Sequence, residues 1–193
     1  KEIVLDIDAT LVNSHSEKEK AAPNFKRGFG FHPSLCYLEE TDEALAGKLR
    51  PGNAVAHDTD DNIEVLEMAL HQLPESARKR KILVRADTAG ATHGFIDKVR
   101  ELGLQSSVSM YLYPYVRDAI LNTGEKDWTA AASQDGEPRD GAAVWEMTGN
   151  ARRSWTPGTR ESCGRRPPHH GAQSKVTVVE RSPAPAAPAA AEE

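Results

Sequence analysis

Two short apolar runs in this chain each close on an aspartate, and they constrain the fold more than any other feature. The first is Ile3-Val4-Leu5-Asp6-Ile7-Asp8-Ala9-Thr10; the second is Ile82-Leu83-Val84-Arg85-Ala86-Asp87-Thr88-Ala89-Gly90. Brief stretches rich in Ile, Leu and Val that end in turn-type residues read as buried strands of an α/β sheet. In such sheets ligands and catalytic groups gather beyond the carboxyl ends of the strands. Two carboxylates delivered there from separate strands form a hard, oxygen-rich site suited to Mg²⁺ or Mn²⁺. The first functional expectation is therefore a divalent metal acting on a phosphodiester.

The rest of the pattern extends this sheet. Strand one covers Glu2–Val12, and alternation puts Asp6 and Asp8 on one face. A charged loop is expected over 13–27, then a second strand over Phe29–Leu38, with Pro33 marking an edge or a bulge. Ala44–Arg50 is either a third strand or a short helix, and its propensities alone favour the helix. Pro51-Gly52-Asn53 is a turn. Ile63, Leu66, Ala69, Leu70 and Leu73 recur at helical spacing within Thr59–Leu73, with Thr59 or Asp60 as N-cap and Pro74 as the stop. The basic turn Arg78–Lys81 leads into the strand that ends at Asp87. A second helix is expected over Thr92–Leu102 with Gly103 as its cap, followed by a strand over Leu104–Tyr111 and a further short helix that includes Val116–Leu121. Ala142–Thr148 suits one more strand. The order β-β-β-α-β-α-β-α predicts an α/β fold with a ribonuclease-H-like mixed sheet flanked by helices.

Charge and composition divide the chain. Residues 151–193 hold seven Lys/Arg and four Asp/Glu, so an overall net charge of −5 leaves an acidic body and a basic end. An acidic body does not attract nucleic acid by its long-range field, but it suits carboxylates that await metal. The 150–181 segment, rich in Arg, Pro and Gly, is expected to be irregular, and the Pro/Ala tract over 182–193 to be disordered. Cys36 and Cys163 show no zinc-like spacing, so free thiols in a reducing cytoplasm are expected. No apolar run approaches membrane-spanning length, so no membrane partner is expected. The chain opens on a core strand without an initiator Met, which suggests that an upstream part is missing.

Four blocks stand in order: Leu5-Asp6-Ile7-Asp8-Ala9-Thr10-Leu11-Val12, Lys26-Arg27-Gly28-Phe29-Gly30-Phe31-His32-Pro33, Leu49-Arg50-Pro51-Gly52-Asn53 and Val84-Arg85-Ala86-Asp87-Thr88-Ala89-Gly90. Together they resemble the catalytic domain of DDE-type transposases of bacterial insertion sequences, over residues 2–149. The resemblance implies an incomplete ribonuclease-H-like catalytic domain at 1–149. It implies Mg²⁺ or Mn²⁺ as cofactor and double-stranded DNA, at transposon ends, as partner. It further implies a homodimer as a candidate assembly and a nucleoid-associated protein in the cytoplasm. Asp8 resembles the first catalytic and metal-holding acid and Asp87 the second; Asp6 is the fallback for the first. That family bridges two metals with hard anionic ligands during strand cleavage and transfer.

The third acid of the family sits in a helix with a Tyr, an Arg and a Lys at set intervals, and no such pattern occurs here. Glu125, Glu137, Glu146, Glu161 and Glu180 lie in loop, strand-like or disordered contexts. The expectation is therefore a chain that does not transpose DNA by itself. A rival reading is a haloacid-dehalogenase-type phosphatase, because Asp6-Ile7-Asp8-Ala9-Thr10 fits its Asp-x-Asp-x-Thr hallmark, with Asp6 as nucleophile. It lacks the usual Gly at position 9 and a downstream acidic pair after a strand. A third reading is a non-catalytic DNA-binding remnant. Taken singly, Asp8 and Asp87 are also explained as turn-capping acids. The basic pieces His15, Lys18, Lys20, Lys26, Arg27 and 78–81 are most simply solvated loops. Trp128, Trp145 and Trp155 are expected to pack, and His169-His170 match no zinc pattern.

Overall fold

A computed structural model describes residues 2–133, 135–148, 159–165 and 176–182 of the chain. The elements run β1 (Ile3–Ala9), β2 (Val12–Asn13), β3 (Ala22–Pro23), β4 (Phe29–Phe31), β5 (Ser34–Leu38), β6 (Glu43–Lys48), α1 (Thr59–Gln72), α2 (Glu75–Arg78) and β7 (Ile82–Ala86). They continue with α3 (His93–Glu101), β8 (Gln105–Met110), α4 (Pro114–Asn122), β9 (Thr129–Ala132), β10 (Pro138–Glu146), β11 (Arg160–Arg165) and β12 (Val176–Ser182). Two compact units meet in sequence inside β8, between Ser107 and Val108.

In the first unit the sheet order is β6-β5-β1-β7-β8. The first three strands form an antiparallel meander, and β7 joins β1 in parallel. This is the expected mixed sheet flanked by helices. Ile3, Leu5 and Ile7 on β1 and Ile82, Val84 and Ala86 on β7 are buried, because every second residue faces the core. Helix α1 packs on β6, β5 and β1 and against α3. It contributes buried Val65, Leu66 and Ala69, and α3 contributes Phe95, Ile96 and Val99.

Several local expectations are corrected. Strand one stops at Ala9, and Val12–Asn13 pairs instead with Phe31 and Gly30 in a separate small sheet of order β2-β4-β3. Ala22–Pro23, expected as loop, supplies that sheet's third strand. Phe29–Leu38 is two strands, because Pro33 has no N–H to continue a ladder. Residues 43–48 form a strand, not the helix their propensities favour. Their partner β5 decides the matter, with Ser34 opposite Lys48 and Leu35 opposite Gly47. The α1 N-cap is Asp58, whose Oδ1 accepts from the Asp61 amide at 3.0 Å, rather than Thr59 or Asp60. The helix expected to include Val116–Leu121 runs from Pro114 to Asn122, and it opens on a proline, whose missing N–H costs nothing there. Gly103, at φ +73°, is in the left-handed conformation that suits a residue just past a helix.

In the second unit β12, β11, β10 and β9 lie side by side, each pair antiparallel. Strand β11 and all of β12 but its last residue therefore fall inside the 150–181 stretch whose composition suggested irregular chain, and β12 ends on Ser182, the first residue of the tract expected to be disordered. Met110, Val116, Trp145, Met147 and Cys163 form the unit's core, and Trp128 packs against it. Trp128 and Trp145 pack as expected, with ring centroids 6.1 Å apart. Trp155, His169, His170 and the Pro/Ala tract from Pro183 onward lie outside the described residues. Cys36 and Cys163 are buried free thiols. No helix among the described residues is long and apolar enough to cross a membrane.

Candidate active site

The register of β1 and β7 places the acids. Asp6 is opposite Arg85, and Ile7 is opposite Ala86. Asp8 and Asp87 are each the next residue, so they leave two adjacent parallel strands at matched height. Neighbouring strands lie about 4.8 Å apart, which puts the two acids side by side. Both residues border one small cleft of about 10 Å³ at the strand ends, together with Ala56, Asn62, Ala89 and Gly90.

The two steps of this cross-strand ladder differ in electrostatics. At the first, Arg85 donates from Nε and Nη2 to the two oxygens of Asp6, at 2.5 Å each, and Nη2 also lies 3.1 Å from Glu39. Asp6 is thus a neutralised carboxylate held in a bidentate fork. That geometry leaves nothing to favour Asp6 as a phosphatase nucleophile or as the fallback metal ligand. Two residues further on, Asp8 and Asp87 border one cleft, and among the described residues neither has a basic ion-pair partner. Like charges opposite one another across strands are destabilising unless a cation offsets them.

Each acid is also fixed by a local hydrogen bond. Asp8 Oδ1 accepts from the Ala9 amide, and Asp87 Oδ1 accepts from the Ala89 amide at the start of a 3₁₀ turn over Thr88–Gly90, both at 2.8 Å. The turn-capping reading therefore holds for Asp87, whereas Asp8 accepts only from the adjacent amide inside β1. A carboxylate that accepts one amide still has lone pairs for a cation. Among the described residues no group of three or more His, Cys, Asp or Glu is arranged to hold a metal ion. The residues present fit a divalent cation as a two-acid site, not as a complete three-acid one.

The five glutamates that lack the family's third-acid pattern lie in the second unit, and two of them are engaged in ion pairs. Glu125 pairs with Arg165 through two hydrogen bonds, of 2.8 and 2.5 Å, and Glu146 pairs with Arg160 and Thr148. Glu137 is exposed. Glu161 is only 4% exposed, its Oε2 has no hydrogen-bond partner, and burial pushes its carboxyl above the usual range. The side chain of Glu180 is outside the described set.

Sequence reasoning gave no role to Arg50, which organises the neighbouring loop. It is 2% exposed. Its Nε donates to the His32 carbonyl at 2.9 Å, and its Nη1 donates to the Val55 carbonyl at 3.0 Å and to Asp61 Oδ2 at 3.2 Å. Burial pushes the Asp61 carboxyl upward, but hydrogen bonds from Lys48 and Arg50 outweigh it and hold the group below the usual carboxylate range. The loop so pinned carries Ala56, a wall of the cleft. An arginine before a Pro-Gly turn carries no signal of burial; only its place in a family-like block singled it out.

The chain from residue 1 to 186 matches the family model described as "Transposase DDE domain group 1". Among solved structures it is similar to the piggyBac transposase in its synaptic complex with hairpin DNA, with TM-score 0.54 and 12% identity over 92% of this chain. The chain spans only 32% of that transposase, and identity this low shows the fold alone. Endonuclease V of Ciona intestinalis, in complex with an inosine-containing DNA, aligns at TM-score 0.34 and 8% identity, over 94% of this chain and 71% of that one. A likeness that weak carries no argument. No curated protein matches. Since the model spans nearly the whole chain and the fold agrees, this chain belongs to the transposase DDE domain group 1 family.

Proposed function

We propose that this chain is the catalytic core of a DNA transposase, in which Asp8 and Asp87 hold a divalent cation against a phosphodiester of double-stranded DNA. The observation that carries the reading is that Asp8, on β1, and Asp87, just past β7, are each two residues beyond the neutralised Asp6–Arg85 pair, border one cleft and have no basic ion-pair partner among the described residues. Mg²⁺ or Mn²⁺, when bound, supplies Lewis-acid activation of the attacking oxygen and charge relief at the leaving oxygen. The chain's own residues orient and position. The Ala9 and Ala89 amides fix one oxygen of each aspartate, which leaves the other for the cation. Asn62 is buried beside the cleft, where Ser34 Oγ donates to its Oδ1 at 3.3 Å. Arg85 keeps Asp6 from competing for the cation.

In this reading the chain contributes two of the three acids and joins no DNA strands by itself. Localised iron cleavage tests the site. With Fe²⁺ in place of Mg²⁺, ascorbate and peroxide should cut the backbone beside Ala9 and Thr88 and nowhere else, and Asp87→Asn should abolish both cuts. Absence of cutting at either position contradicts the reading, as does hydrolysis of a small phosphomonoester that Asp6→Ala abolishes.

A further inference from the structure

Beside the acid cleft, in the same unit, lies a larger concavity of about 510 Å³, lined by Pro23, Phe25, His32, Val55, Ala56 and His57 among others. Its size falls in the range of about 300–1,000 Å³ typical of small-molecule sites, and its walls are mostly apolar. We propose that it binds one unpaired nucleotide of a DNA strand, with the base stacked on Phe25. This rests on the DNA-processing reading above and adds a subsite to it.

Three observations favour a nucleotide. First, Phe25 is 73% exposed, although it is a large aromatic residue. It stands on the turn between β3 and β4, where Asn24 Oδ1 accepts from the Lys26 and Gly28 amides at 3.0 and 2.9 Å. Its ring meets His32 at a tilt, centroids 6.1 Å apart. His32 is itself buried and locked by Nδ1 to the Ala54 carbonyl at 2.8 Å, so the floor is rigid. A fixed aromatic face open to solvent is what base stacking uses. Second, the same turn carries two cations. Lys26 Nζ lies 5.7 Å from the Phe25 ring centroid, Arg27 follows at φ +62°, and among the described residues neither makes an ion pair. An exposed aromatic ring followed on its own turn by two cations matches a base joined to a phosphate better than it matches an apolar side chain. Third, Ala56 lines both this pocket and the cleft bordered by Asp8 and Asp87. A strand whose phosphate lies at the acids has a neighbouring base within reach of the pocket.

The test uses the full chain with Mn²⁺ and two fluorescently labelled duplexes of one sequence, one fully paired and one with a single unpaired 2-aminopurine. The proposal expects tighter binding of the unpaired duplex by about tenfold, the scale of one base–aromatic stack, with quenched 2-aminopurine emission. Phe25→Ala should abolish that preference and leave affinity for the paired duplex unchanged, while Phe25→Trp should retain it. Equal affinity of the native chain for both duplexes overturns the pocket alone and assigns it to another class of partner. A preference that survives Phe25→Ala overturns it too. Failure to bind either duplex overturns the DNA reading itself. Because Phe25 is exposed, its truncation should leave the circular-dichroism melt unchanged, which separates lost stacking from lost folding.

Discussion

Replacing Arg50 with methionine tests whether the loop beside the acid cleft is held by charge. The change keeps most of the buried stem and removes the guanidinium, with its hydrogen bonds to the His32 carbonyl, the Val55 carbonyl and Asp61. Three hydrogen bonds from a charged donor, at about 1.5–3 kcal/mol each, set an upper bound near 5–9 kcal/mol. Two features reduce it. Asp61 keeps Lys48, 2.6 Å away. The native guanidinium already carries a cost, since its buried Nη2 has no hydrogen-bond partner. A loss of about 3–4 kcal/mol is therefore expected, in line with removing one partner of a buried ion pair. Urea unfolding followed by circular dichroism reads it. Arg50→Lys should recover less than half, because an ammonium cannot span the carbonyls and the carboxylate from one planar fork. Hydrogen exchange should show the amides near Ala56 losing protection before those of α3. If Arg50→Met costs under about 1 kcal/mol, a value ordinary for surface substitutions, the loop is held by packing and the reasoning fails.

Other expectations follow from single residues. Glu161 is buried without a partner, and its folded carboxyl titrates above the usual range. The folded state therefore binds the proton more tightly, and stability falls as pH rises from about 4.3 through the folded value. Glu161→Gln should raise the melting temperature at pH 7 and have little effect at pH 4, read by fluorescence of Trp128 and Trp145 in the same unit; equal shifts at both pH values would contradict this. Asp58→Ala removes the cap on the Asp61 amide and should cost about 1 kcal/mol in urea unfolding, whereas Asp60→Ala should cost less. Burial and the nearby Asp6 push the Cys36 thiol up to about 12, and burial pushes Cys163 up to about 11. Neither thiol should react with iodoacetamide at pH 8 until urea unfolds the chain, which mass spectrometry would show; rapid labelling of the folded chain would refute the burial.

The parts of the fold legible in the sequence are those where local and long-range physics agree. The β1 and β7 runs each open on three consecutive Ile/Leu/Val residues, so pattern alone identified them, and their closing aspartates marked the proposed site. Residues 43–48 were not legible, because Ala, Gly, Lys and Glu have little strand preference. They extend only because β5 offers a ladder, and Gly47 accommodates Leu35: a Cβ there would lie 2.7 Å from Leu35 Cδ2. The small β2-β4-β3 sheet was hidden for a similar reason, since strands of two or three residues leave no periodicity. Gly30 shows what holds it together, with φ +151° and a close approach to the Val12 carbonyl that any Cβ would block. At the proposed site, the types and positions of Asp8 and Asp87 could be read, but the partner that sets Asp6 apart could not. Arg85 sits 79 residues away in sequence, and only the parallel register brings it opposite.

Calorimetric titration of the native chain with Mn²⁺, alongside Asp8→Ala and Asp87→Asn, addresses the central claim most directly. Asparagine can retain the turn-capping hydrogen bond to Ala89 while removing the charge, so the Asp87 variant isolates metal binding from local structure. The account predicts one Mn²⁺ bound by the native chain and none by either variant at the same concentrations. A native chain that binds no Mn²⁺, or variants that bind it as the native chain does, would contradict the assignment of these two carboxylates as a metal site.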